Sequence, residues 1–192
     1  MPPKCRFTRE QIIQAALELT AEKGIGALTA RGLAQRLGSS AKPIFGLFTN
    51  REEGQQEVLK AADQRYQAYL QEDMSAGQYP PYKASGMAYI RFAREQRELF
   101  KLLFMRDRTH EEKAAGDELE ALLGLIQKNM GLSRDDAYRF HLEMWIYVHG
   151  IATMIATAYL EWDMDFISAA LTDAYQGLRL RFLPKETEGE RK

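Results

Sequence analysis

A chain of 192 residues, 45% hydrophobic and 28% charged, is long enough to bury a substantial core in one or two domains, and this balance excludes collagenous and wholly disordered classes. A single cysteine, Cys5, rules out an internal disulfide, and the opening MPPKCRFTRE has no apolar stretch of the secretory kind, so a cytoplasmic location is expected. The formal net charge of -1 conceals an asymmetry: residues 1–51 carry eight Lys/Arg against three Glu, and residues 52–192 carry 18 basic against 24 acidic groups. A basic front on an acidic remainder points one end of the protein towards a polyanion.

Alternating polar and apolar runs are absent, whereas apolar residues recur at spacings of three and four, so an all-α fold is expected. The first helix starts at Thr8, where Thr8 and Gln11 form a capping box. It buries Ile12, Ala16 and Leu19 and stops at Gly24. A second, two-turn helix follows Thr29, with Leu28 and Leu33 placed as a hydrophobic staple and Gly38 suited to a left-handed terminus. Ser40 caps a third short helix holding Ile44, Phe45 and Phe48. Thr49 and Asn50 open a fourth, which runs through Leu59, Tyr66 and Leu70 to about Met74. The stretch Ala76 to Pro81 breaks the pattern with turn formers and a double proline. Further helices are expected at roughly 82–95, 97–107, 111–130, 134–160 and 164–183, before a charged, flexible tail over 184–192.

The segment TARGLAQRLGSSAKPIFGLF, Thr29 to Phe48, reads as a helix-turn-helix. Its turn needs a small or left-handed residue, supplied at Gly38-Ser39. Leu33, Ala34, Leu37 and Ile44 are spaced to lock the two helices, and Ser40, Ala41 and Lys42 stand at the start of the second, where base edges are read. A Gly-Ser turn also joins helices in bundles that bind no nucleic acid, so spacing alone leaves both readings open.

Over about residues 8–59 the chain resembles the TetR/AcrR family of bacterial transcriptional regulators. Ala15-Ala16, Gly24, Thr29, Leu33-Ala34, Gly38, Ser40, Ile44-Phe45, Phe48 and Asn50-Arg51 fall in order at the family's spacing. The resemblance implies a helix-turn-helix DNA-binding head over 1–50 and a helical ligand-binding and dimerisation body over 51–183. It also implies repression relieved by a small molecule, and a DNA-facing set of Thr29, Arg31, Ser39, Ser40, Ala41, Lys42, Phe45, Leu47, Asn50 and Arg51. Four positions depart from the family pattern: Ser39 for valine, Phe45 for tyrosine, Leu47 for histidine or tyrosine, and Gly54 for leucine. Phe45 and Leu47 lack phosphate-binding groups, which shifts the backbone grip to Thr29, Lys42 and Arg51. Pro43 sits in the first turn of the recognition helix, where a missing N–H is tolerated. The alternative is a helical small-molecule-binding or interaction module that has lost useful DNA affinity.

In the body, Trp145 to Leu160 reads WIYVHGIATMIATAYL. It is a poor membrane span, only about the lower length limit and interrupted by His149, Gly150 and two threonines. Burial against the body on one side and a second subunit on the other explains such a helix better, so a homodimer is expected through Ile151, Ile155, Tyr159, Phe166, Ala170 and Ala174, with a pseudo-palindromic operator. The segment also resembles the Trp/Val-x-His-Gly stretch of TetR-like bodies.

Catalytic and metal signatures are missing: no HExxH, cysteine cluster, Walker loop, GxSxG or GxGxxG occurs, and no cofactor or metal is expected. His141 and His149 stand eight residues apart, roughly 12 Å along a helix, too far to share an ion. Phe92, Phe100, Phe104, Met105, Leu122, Ile126 and Met154 suit a core at helical spacing. A small, largely apolar effector is expected to meet Phe104, Tyr138, Trp145 and His149, because the polar members of that set would orient it.

Overall fold

The computed structural model describes residues 7–39, 50–107, 109 and 116–182, with the side chains of Arg51 and Asp117 left aside. Among these, the helices in order are α1 (Arg9–Lys23), a single 3-10 turn (Ile25–Ala27), α2 (Ala30–Leu37), α3 (Arg51–Ser75), α4 (Pro81–Glu95), α5 (Arg97–Phe104), α6 (Asp117–Met130), α7 (Arg134–Ala156) and α8 (Met164–Phe182). No strand occurs among the described residues. The all-α expectation holds, with end points set by local chemistry. Thr8 accepts from the Gln11 N–H while the Gln11 side chain accepts from the Thr8 N–H, the reciprocal box that satisfies two orphan donors. The third short helix, residues 110–115 and the tail lie outside the described residues.

Two compact units emerge, Met1–Glu72 with Arg91–Thr109, and Asp73–Ile90 with His110–Lys192. This partition differs from a cut after residue 50, because α3 and α5 share the first unit with the head. In that unit α1 packs against α2 and α5. Its core takes Ile12, Ala16, Leu17 and Leu19 from α1, Leu33 and Ala34 from α2, Val58, Ala62 and Tyr66 from α3, and Phe92, Leu99 and Phe100 beyond. Tyr66 meets Phe92 and Phe104 edge-on, with ring centroids 5.4 and 5.2 Å away. Such edge-to-face pairs add about 0.5–1.5 kcal/mol each beyond area burial.

In the second unit α7 packs against α6 and α8. Leu123, Ile126, Met130, Ala137, Phe140 and Met144 form its core cluster, flanked by Tyr82, Tyr175, Leu178 and Phe182. Phe140 is wholly buried, its ring edge-on to Tyr175 at 5.3 Å and to Phe182 at 5.5 Å. Full burial of such a side chain stabilises by about 1.5–3 kcal/mol.

α7 ends at Ala156 rather than at 160. Ala158 turns into the left-handed region at φ 55, and the Tyr159 N–H donates to the Met154 carbonyl at 2.9 Å, closing the helix. No helix among the described residues is long and apolar enough to cross a membrane.

Candidate functional site

The head is built by caps and one close approach. Thr29 Oγ1 accepts from the Gly32 N–H at 3.0 Å and fixes the start of α2. Gly32 is required there, since a Cβ would lie 2.7 Å from the Ala27 carbonyl oxygen. α2 ends at Gly38, whose φ of 58 suits glycine and whose turn leads out of the first motif helix. Leu28, Leu33 and Ala34 are buried under this corner, so the helix is locked to α1 by its apolar face. Thr29 and Arg31 remain exposed on the other side, Ser39 is half-buried, and Asn50 is exposed with its Oδ1 accepting from the Glu53 N–H at 2.8 Å as the cap of α3. Ser40, Ala41, Lys42, Phe45 and Leu47 lie outside the described residues, as does the Arg51 side chain.

Ionic ties brace the helices behind the motif. Arg9 donates to Glu57 at 3.0 Å and to Glu53 at 3.3 Å. Lys60 first, and Arg9 next, hold the Glu57 carboxyl below the usual carboxylate range by hydrogen bonding. Arg65 of α3 pairs with Glu18 of α1 and reaches Gln96 at 3.5 Å. Gln96 in turn donates to the Tyr69 hydroxyl, which donates to Glu95 at 2.8 Å. Sequence spacing gave no sign of these links between helices, because, apart from Lys60–Glu57, each joins residues 26 to 48 positions apart.

Of the four residues expected to meet an effector, three share α7. Tyr138 and Trp145 are exposed, at 40% and 43%, and the Trp145 ring stacks on His149 at 4.8 Å and 10°. Phe104 belongs to the first unit, against Tyr66 and Phe100. Two tyrosine–histidine pairs join α4 to α7: Tyr82 with His141 Nδ1 at 3.1 Å, and Tyr89 with His149 Nδ1 at 2.8 Å. Burial lowers the pKa of both histidines and, with the neighbouring Tyr175, pushes the Tyr82 hydroxyl well above its usual range. Among the described residues no group of three His, Cys, Asp or Glu side chains is placed to hold a metal ion.

The expected dimer residues divide. Ile151 and Ile155 are 8% and 2% exposed, packed into the core of this chain. Ala170 and Ala174 are half-buried, and Tyr159 and Phe166 are exposed at 76% and 54%. The large apolar side chains that α7 leaves exposed are Tyr138, Leu142, Trp145, Ile146 and Tyr147, with Leu180 added by α8. An apolar run on all sides of a helix does not reveal which side the fold uses.

Residues 12–53 match the family description "Bacterial regulatory proteins, tetR family", and residues 82–175 match "Tetracyclin repressor-like, C-terminal domain". The chain belongs to the TetR family. A solved structure of native NalD, the secondary repressor of the MexAB-OprM multidrug efflux pump in Pseudomonas aeruginosa, is 18% identical to it, with 92% of this chain and 95% of that chain covered and a TM-score of 0.44. No curated protein sequence matches. The TetR head match begins at Ile12, in the first turns of α1, and ends at Glu53 in the first turn of α3. It therefore spans α2 and the capped corner Thr29-Gly32-Gly38. The chain is thus a TetR-like DNA-binding transcriptional regulator, and its family is a regulatory rather than an enzymatic one.

Proposed function

We propose that this protein is a cytoplasmic homodimeric repressor that grips a pseudo-palindromic operator through two helix-turn-helix heads and is released by a small, largely apolar molecule bound in its body, without catalysis. The observation that carries the reading is the capped corner Thr29-Gly32-Gly38, which holds the exposed Thr29 and Arg31 beside the motif in the basic quarter of the chain. The Thr29 hydroxyl oxygen is occupied by the Gly32 N–H, leaving its hydrogen to donate to a phosphate. Lys42 and Arg51 complete the cationic grip. Leu142, Ile146, Phe166 and Leu180 supply exposed apolar surface suited to a second copy.

For DNA to be released, the effector must prefer the head arrangement that cannot bind; a tenfold loss of operator affinity needs about 1.4 kcal/mol of coupling. Fluorescence anisotropy with a duplex from the protein's own upstream region tests the DNA half. Tight, salt-dependent binding is expected, weakened and given a shallower salt slope in Lys42→Ala. Light scattering tests the dimer, which Ile146→Asp is expected to split. Failure to bind either that duplex or a randomised pool at low salt, or a monomer at tens of micromolar, overturns the reading.

A further inference from the structure

Three threonines in or just beyond the helices satisfy their hydroxyls in the same way. Thr20 donates to the Ala16 carbonyl at 2.8 Å, Thr157 to the Thr153 carbonyl at 2.7 Å and Thr172 to the Ser168 carbonyl at 3.0 Å. Each bonds the residue four positions back, as helical threonines commonly do. Thr153 does not. Its Oγ1 is shut off from solvent and has no hydrogen-bond partner among the described residues. A buried hydroxyl left unpaired is costly, so its persistence asks for a partner that comes from outside.

The neighbours indicate what that partner is. One turn before Thr153, on the same face and about 6 Å along the axis, stands His149, bonded to Tyr89 and stacked on Trp145. From Trp145 to Leu160 the sequence holds no Asp, Glu, Lys or Arg. A charged ligand would find no counter-ion on this stretch of α7, whereas a ring carrying one oxygen would find an aromatic and imidazole surface with a hydroxyl one turn beyond. Burial lowers the pKa of His149, favouring its neutral form.

We infer that Tyr89, Trp145, His149 and Thr153 form a subsite for an uncharged aromatic compound bearing a hydroxyl or carbonyl oxygen, the ring lying at the Tyr89–His149 pair and the oxygen bonding Thr153 Oγ1. This deepens the proposed ligand control and rests on it for its biological meaning, though binding is measurable without DNA. It assigns the specificity of the site to one hydroxyl.

Calorimetry on the full chain with four matched probes tests it: biphenyl, 4-hydroxybiphenyl, biphenyl-4-carboxylate and 4-phenylbenzylammonium. The hydroxyl compound is expected to bind about tenfold more tightly than biphenyl, the increment of one good hydrogen bond to a buried group, and the two charged compounds more weakly than either. Thr153→Val is expected to erase the preference for the hydroxyl compound and Thr153→Ser to retain it. Without ligand, Thr153→Val should raise the melting temperature by about 2–4 °C, since it removes an unpaired hydroxyl while keeping the shape. No binding by any probe, charged probes binding as well as neutral ones, or a hydroxyl preference that survives Thr153→Val overturns the subsite. If the preference holds but no bound probe weakens operator binding, ligand control fails and the subsite stands. If some other effector releases DNA equally from the wild type and from Thr153→Val while the probes show no preference, ligand control stands and the subsite fails.

Discussion

In the first compact unit, helices distant in sequence are tied by charges: Arg9 to Glu53 and Glu57, Arg65 to Glu18, Arg36 to Glu22 and Arg91 to Glu72. In the second, rings and neutral hydrogen bonds take that place, with Tyr82 on His141, Tyr89 on His149, and Phe140 among Tyr82, Tyr175 and Phe182. Arg134–Glu120 and Arg181–Glu143 add ion pairs there on largely exposed arginines. The difference matters for function. Ion pairs at partly exposed residues contribute about 0–1 kcal/mol each and exchange partners cheaply, which suits a unit whose head must engage a polyanion. Close-packed aromatic contacts resist rearrangement, which suits a unit proposed to present a defined surface to a small molecule.

The largest expected effect falls on the aromatic side of that contrast. Phe140→Ala removes the ring at the centre of the second unit and should cost about 3–5 kcal/mol, as for other buried Phe truncations. Chemical denaturation followed by circular dichroism gives the value. A loss below about 1 kcal/mol would mean that the cluster collapses around the gap, and the rigid picture of this unit would have to go.

The helices of both units were legible in the sequence wherever their ends are set by local chemistry. Thr8 with Gln11, Thr29 with Gly32, and Ser133 with Asp136 fix termini through bonds three residues apart, and a reader of sequence sees both partners at once. α7 was overextended because its terminator is Ala158, which carries no glycine signal. The all-round apolar stretch of α7 hides its core side until Val148, Ala152 and Ile155 are seen buried together. His149 was singled out without its partner Tyr89, which lies 60 positions away, and the state of the Thr153 hydroxyl has no counterpart in sequence. Residues 40–49, where the sequence places the recognition helix, lie outside the described residues.

A smaller effect of opposite sign sharpens the view of the second unit. Ala158 holds φ 55, where α2 ends on Gly38 and α6 on Gly131, at φ 58 and 68. A Cβ is penalised in this conformation, so Ala158→Gly should stabilise by about 1 kcal/mol, net of the freedom glycine gains in the unfolded chain. Thermal unfolding would register it as a rise of about 2–4 °C. A fall instead would place the strain elsewhere in the closing turn.

The smallest effect tests the ionic side and is the most diagnostic of it. Arg65 is 22% and Glu18 35% exposed, and Glu18 also accepts from Gln14 at 2.7 Å. Arg65→Ala removes a link from α3 to α1 together with the bond to Gln96, so a single mutant mixes both terms. A double-mutant cycle with Glu18→Gln isolates the pair, for which about 0.2–1 kcal/mol of coupling is expected at low salt. The Debye length shrinks from about 10 Å at 0.1 M to about 3 Å at 1 M ionic strength, so most of that coupling should vanish at the higher salt. Coupling that persists at 1 M would mean that the pair acts as a desolvated, geometrically fixed contact. The first unit would then be as rigid at α1 and α3 as the second is at Phe140, and the contrast between adjustable head and fixed body would not survive.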